Sequence, residues 1–211
     1  MADLTAATLL NAAEALLCEA GRIDEVTSRR IAARAGTSHT AINYHFGSRD
    51  RLVRDVMVRT YKRFNARRLT QLQAAIDRHA PRPPDLRGVL AALIEPSVRW
   101  AADPGSGYAV FRHFDVLAQL SRDEALRDPE LFDAAVHRRF IEVLEEIVPW
   151  YDAEELGWRL CAVLGLRQIV LRGDTRHSAL AGGAFDAADP DAVLARILTL
   201  SVALFARPGR P

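Results

Sequence analysis

Apolar side chains recur at Leu9, Leu10, Ala13, Leu16, Leu17 and Ala20, three and four residues apart, which places them on one face of a helix. Gly21 follows as a stop, so a first helix is expected over residues 5–19. Thr27 then offers a side-chain oxygen to cap a short helix whose inward residues are Ile31, Ala32 and Ala35, stopped in turn by Gly36. After a three-residue connection Ser38 is placed to cap another short helix, holding Ala41, Ile42 and Phe46. Two short helices around a glycine-containing turn make a helix-turn-helix. From Gly47 and Ser48 a long helix with Leu52, Val53, Val56, Phe64, Leu72 and Ile76 on its recurring apolar face runs to Pro81, Pro83 and Pro84.

Further helical segments are expected at residues 85–102, 108–120, 129–148, 153–171 and 191–206, with breaks at Asp103-Pro104-Gly105, Arg127-Asp128-Pro129, Pro149 and between Gly173 and Pro190. Pro96 should kink or interrupt the first of these. No alternating strand pattern occurs, so the expected fold is all-α with about nine helices. A three-helix domain carrying the helix-turn-helix spans residues 1–50 and is linked through the long helix, 48–80, to a C-terminal helical domain over residues 51–211.

The last two segments are apolar on nearly every side, from Leu156 to Leu171 and from Val193 to Phe205. Such a helix must be covered all round. One face packs on its own domain and the other needs a partner, which two such helices from each of two chains supply as a four-helix bundle across a two-fold axis. The alternative is a central core helix. The pattern favours a homodimer through helices 153–171 and 191–206.

Composition adds an asymmetry. The chain of 211 residues has a net charge of only +1, yet residues 1–68 hold 12 basic against 7 acidic side chains and the remainder carries the opposite sign. A basic N-terminal part is the footprint of a nucleic-acid module, or of an Arg-rich solvated helix face. Cys18 and Cys161 are far apart, which gives neither a disulfide framework nor a paired-cysteine metal spacing. The start carries Asp3, Glu14 and Glu19 without a basic leader, and no apolar run approaches the roughly 20 residues of a membrane span. A cytoplasmic protein without metal or cofactor is expected, and no membrane partner. Nor is there a glycine-rich phosphate loop, a nucleophile elbow or a His-Glu-x-x-His, so an enzyme is not expected.

The window TSRRIAARAGTSHTAINYHFGSRDRL, residues 27–52, carries the chemistry. From Ser38 to Phe46 the second short helix is roughly 13 Å long at 1.5 Å per residue, comparable to a major groove about 12 Å wide. His39, Thr40 and Asn43 fall opposite Ile42 and Phe46 and are the candidates to read bases. Asn pairs bidentately with adenine, Thr touches a thymine methyl and His donates to purine acceptors. Groups suited to phosphates surround them: Thr27, Ser38, Tyr44, His45, and Arg49 at the start of the next helix, where backbone N–H groups point outward.

This window resembles the DNA-binding domain of the tetracycline-repressor (TetR) family of bacterial transcriptional regulators, whose pattern runs Thr, Ile-Ala, Ala-Gly, a Ser in the turn and Tyr-x-His-Phe. The specific match covers about residues 5 to 60. Asn43 stands where the family more often has Tyr, and Arg49 where it usually has Lys. The resemblance implies phosphate contacts from Thr27, Tyr44, His45 and Arg49, with His39, Thr40 and Asn43 facing bases. It further implies a homodimeric, ligand-responsive repressor on a palindromic double-stranded operator, with a C-terminal domain for ligand binding and dimerisation. Half-site centres would lie about 34 to 36 Å apart, or at a larger helical repeat. The long helix would pass a ligand-induced change to the reading heads.

For an unidentified small-molecule effector, Trp100, Tyr108, Phe111, His113, Phe114 and Arg167 are the candidate lining, although ordinary core packing is the commoner role for such residues. Arg167 interrupts a strongly apolar helix and needs an anion or a paired carboxylate. Two other readings stay open: a ligand-binding or interaction protein of the same fold that no longer binds DNA specifically, and a non-specific nucleic-acid binder, which would show steep salt dependence without sequence preference.

Overall fold

The computed structural model describes residues 2–113, 134–172, 179–180 and 189–208, and contains no strand among them. The α-helices are α1 (Ala2–Glu19), α2 (Ser28–Arg34), α3 (Thr40–Phe46), α4 (Arg49–His79), α5 (Leu86–Ala102), α6 (Ala134–Ile147), α7 (Ala153–Arg172) and α8 (Pro190–Leu204), with 3-10 turns at Ile23–Glu25 and Tyr108–His113. The expected helix at residues 108–120 is thus a 3-10 turn as far as His113, and its remainder lies outside the described residues. No described helix is long and apolar enough to cross a membrane. The chain divides into two compact units, Met1–Arg63 with the segment that begins at Asp103, and Phe64–Ala102 with Ala134–Pro211. The division falls inside α4.

In the N-terminal unit the apolar stripe of α1 buries Leu9, Ala13, Leu16 and Leu17 with Val26, Ile31, Ile42, Leu52, Val53, Val56 and Val110. Thr27 caps α2, its Oγ1 accepting from the Arg30 N–H at 3.3 Å. Gly36 closes the same helix at φ +64°: the Gly36 N–H reaches the Ala33 carbonyl at 3.3 Å and the Thr37 N–H the Ala32 carbonyl at 3.0 Å. That pair of bonds defines a Schellman stop, which needs a left-handed residue. At the other end of the unit Glu14 of α1, its side chain only 15% exposed, accepts from both Arg59 and Arg63 of α4.

The C-terminal unit is built around α5, whose Val89, Leu90, Leu93 and Ile94 have no exposed surface and which meets α6, α7 and α8. Pro96 sits inside α5 without interrupting it; the residue is buried, and packing on three helices holds the segment helical despite the lost N–H. A charge lies in the same unit: Arg68 of α4 is wholly buried. Its Nε donates to the Leu93 carbonyl at 3.0 Å and its Nη1 to Asn65 Oδ1 at 3.1 Å, while its guanidinium stacks 4.2 Å from the Phe64 ring centroid. Asp189 caps α8 through the N–H groups of Asp191 and Ala192. Tyr151 Oη donates to the Ala206 carbonyl at 2.7 Å beyond its end.

Two outcomes are expected. An added Cβ at Gly36 meets nothing within 4 Å, so Gly36→Ala should cost only the backbone strain, about 1–2 kcal/mol, and Gly36→Asn less, by urea unfolding. His113 is buried, with Nε2–H donating to the Leu17 carbonyl at 2.9 Å. Burial first of all holds its pKa below the ordinary value, against the pull of the Leu17 and Ala20 carbonyls. Unfolding therefore takes up a proton as the pH drops through about 6.5. Stability is full above that pH and is lost below it, down to the folded-state pKa. Denaturation midpoints of wild type should fall between about pH 7 and pH 5.5 more than those of His113→Gln, which keeps an N–H donor.

Candidate nucleic-acid interface

At 100° per residue, Thr40, Asn43 and Tyr44 share one arc of α3, Ile42 and His45 lie most nearly opposite, and Ala41 and Phe46 flank them. Exposure follows the wheel. Thr40 and Asn43 are exposed and Tyr44 is 82% exposed, Ile42 is 1% exposed, and Ala41, His45 and Phe46 are half-buried. Tyr44 therefore belongs to the same outward face as Thr40 and Asn43, with its ring edge-on to His45 at 5.0 Å.

The start of α3 departs from the expectation. Ser38 does not cap it: Ser38 Oγ and Thr40 Oγ1 share a hydrogen bond of 2.7 Å. The cap position is His39, whose φ of −65° and ψ of −22° are already helical and whose side chain caps nothing. His39 is exposed at the same rim. Thr27 is exposed as well. Its oxygen accepts from Arg30 N–H, and a hydroxyl that accepts still has its own O–H to donate.

Most of the arginines in this window are occupied within the chain. Arg30 Nη1 donates to the Glu25 carbonyl at 2.8 Å and Arg34 Nη1 to Glu19 at 2.7 Å; the bond from Arg34 holds the Glu19 carboxyl below its usual pKa. Arg49, expected to carry a phosphate contact, faces inward. Its Nε donates to the Val26 carbonyl at 2.8 Å, Nη2 to the Ile23 carbonyl and Nη1 to the Asp50 carboxylate at 2.7 Å. Arg29, in the first turn of α2, and Arg51 are exposed, as Arg30 and Arg34 are; the Arg51 backbone N–H is capped by Ser48 Oγ at 3.1 Å at the start of α4. Neither Arg29 nor Arg51 is among the residues that the sequence pattern marks as contacts. Their signal was position, two residues past Thr27 and three past Ser48, on the polar side of each helix start.

The candidate effector residues are separated. Tyr108, Phe111 and His113 fall in the N-terminal unit, where Phe111 meets Tyr61 and Tyr108 edge-on at 5.0 and 5.4 Å. His113 is engaged by Leu17. Phe114 lies outside the described residues. Trp100 and Arg167 belong to the C-terminal unit. Arg167 finds no described carboxylate; its Nη1 donates to Ser97 Oγ at 3.1 Å and its buried Nε has no acceptor among the described residues. Ser97 and Trp100 are one turn apart on α5, and Trp100 packs against Phe64 at 5.4 Å.

On α7 and α8 the apolar surface is exposed. Trp158, Ile169 and Leu200 are 70%, 55% and 56% exposed. A groove of about 560 Å³ runs between the two helices, lined by Leu166, Ile169, Val170, Val193, Ile197 and Leu200 among others.

A family model described as the C-terminal domain of tetracyclin repressor-like proteins matches residues 91–203, and one for bacterial regulatory proteins of the tetR family matches residues 9–56. No curated protein matches the chain. Among solved structures it is similar to a chain from Streptomyces coelicolor A3(2) described as a transcriptional regulator, 25% identical with a TM-score of 0.57 over 92% of this chain and 98% of that one. A chain described as a TetR-family transcriptional regulator from Rhodococcus sp. is 14% identical with a TM-score of 0.63, covering 96% and 99%. NalD of Pseudomonas aeruginosa, described as the secondary repressor of the MexAB-OprM multidrug efflux pump, is 20% identical with a TM-score of 0.56, covering 96% and 97%. These last two share the fold. The C-terminal model spans more than half of the sequence and the N-terminal one falls on α1 through the start of α4, so the chain belongs to the TetR family of bacterial regulatory proteins.

Proposed function

We propose that the chain is a ligand-responsive transcriptional repressor that binds a palindromic DNA operator as a homodimer. The observation that carries this reading is the outward face of α3, where Thr40, Asn43 and the 82% exposed Tyr44 stand together on a helix held from behind by Ile42. A tyrosine that exposed buries little in the free chain beyond its edge contact with His45, and its hydroxyl suits a phosphate oxygen. In this reading His39, Thr40 and Asn43 meet base edges. Thr27, Ser38, Tyr44 and His45 meet the backbone, and Arg29 and Arg51 add exposed positive charge at the helix starts.

The apolar surface of α7 and α8 is the part of the chain that a second copy would cover, including the exposed Trp158, Ile169 and Leu200. Effector binding is assigned to the C-terminal unit, beside Trp100 and the Arg167–Ser97 contact. An effector acts there by binding one arrangement of the dimer better than the other, and lowers operator affinity by that ratio.

Selection of duplexes from a random pool at about 0.15 M salt should return a palindrome, whereas a pool that returns no shared sequence would count against specific reading. Asn43→Ala should relax preference at one base position in each half-site, by about 1–3 kcal/mol; an equal loss on every duplex would remove Asn43 as a reader. Leu200→Glu combined with Ile169→Glu should convert the dimer to folded monomers in sedimentation velocity. An unchanged sedimentation coefficient would place the interface elsewhere.

A further inference from the structure

The base of the reading segment is closed by one side chain. Val26 immediately precedes Thr27, the cap of α2, and Arg49 is the first residue of α4 after α3. Everything between them, residues 27–48, is the helix-turn-helix together with its two bounding caps. The Arg49 guanidinium spans this loop at its neck: Nε to the Val26 carbonyl, Nη2 to the Ile23 carbonyl and Nη1 to Asp50. All three nitrogens are engaged, and the side chain is only 23% exposed. The Ile23 carbonyl also accepts the Val26 N–H at 3.2 Å, which closes the 3-10 turn, and the side chains of Ile23 and Val26 are buried in the N-terminal core.

We propose that Arg49 is a positioning residue for DNA reading, a clasp that fixes the entry of α2 against the exit of α3 through the carbonyls of Ile23 and Val26, and not a contact to phosphate. The proposal rests on the DNA-binding reading given above. Its chemistry depends on shape. A planar guanidinium places Nε–H and Nη–H in a fixed fork that reaches two carbonyls and a carboxylate at once. A lysine at the same place keeps the charge but offers a single ammonium at the end of a flexible stem. It cannot hold the same three acceptors in the same directions. Without the fork, the short helices keep their packing through Ile31, Ala32 and Ile42, their caps, and the bonds of Arg30 to the Glu25 carbonyl and of Arg34 to Glu19, but lose the tie that joins the entry of α2 to the exit of α3. The orientation of Thr40, Asn43 and Tyr44 then spreads over more arrangements, and only some of them fit base edges.

The consequence separates specific from non-specific binding. Random duplex tolerates a loosely held reading head because it takes only phosphate contacts, whereas an operator demands register. Arg49→Lys and Arg49→Ala should therefore each weaken binding to the selected operator by about tenfold or more. On a random duplex both should stay within about twofold of wild type, with the slope of log K against log salt unchanged. If Arg49 instead touches phosphate, Arg49→Ala loses about 0.9 in that slope on both duplexes and Arg49→Lys restores it, which overturns the proposal. A second measurement holds whether or not DNA is bound. Amide hydrogen exchange over residues 27–46 should quicken at least tenfold in Arg49→Lys while amides of α5 keep their wild-type rates; unchanged exchange in the reading segment also overturns the clasp. A wild-type chain that binds neither duplex would sink the DNA-binding reading itself, and the exchange data would then still decide whether the clasp exists.

Discussion

Helices of seven residues do not stand alone in water, where even good helix formers need about 12–15 residues to be marginally stable. Both α2 and α3 have that length, so the outward face of α3 depends on structure lent by longer neighbours. Ile31 and Ile42, at 0% and 1% exposure, are the anchors. They enter a core made by the stripe of α1 and by Leu52, Val53, Val56 and Met57 of α4. The same two long helices are tied to each other by Glu14, which takes Arg59 and Arg63, and by Asn11, which accepts from Arg59 at 2.8 Å. The supporting frame is what that shortness requires.

What the frame leaves outward is polar on a rigid support. Thr27 and Gly36 set where α2 begins and ends, Gly47 at φ +75° ends α3, and Ser48 starts α4. These devices are local, each made by residues within about five positions of one another, and so they could be read from the order of the sequence. The same holds for the outward arc of α3 and for the apolar character of α7 and α8, which follow from a period of 3.6 residues.

The contacts that escaped the sequence have partners far away or partners without a side-chain signature. Arg49 bonds to carbonyls 23 and 26 positions earlier, and a carbonyl looks the same whatever residue bears it. Ser38 had two uses for its hydroxyl, a helix cap or the neighbouring Thr40, and the sequence does not choose between them. Tyr108–His113 has the spacing of a helix but forms a 3-10 turn packed on α1. Arg68 did leave a trace: it sits four residues after Phe64 and four before Leu72, in the middle of an apolar stripe. A charged residue there is either a break in the pattern or a buried cation, and only its bonds to Leu93 and Asn65 show which.

The Ser38–Thr40 bond has a consequence for what the edge of α3 offers a ligand. Either hydroxyl can be the donor, so the pair holds one proton between its oxygens and turns the other outward, and a concerted rotation of both O–H bonds exchanges which residue supplies it. The rim therefore behaves as one reversible polar unit, able to present a donor from either of two points without moving a heavy atom.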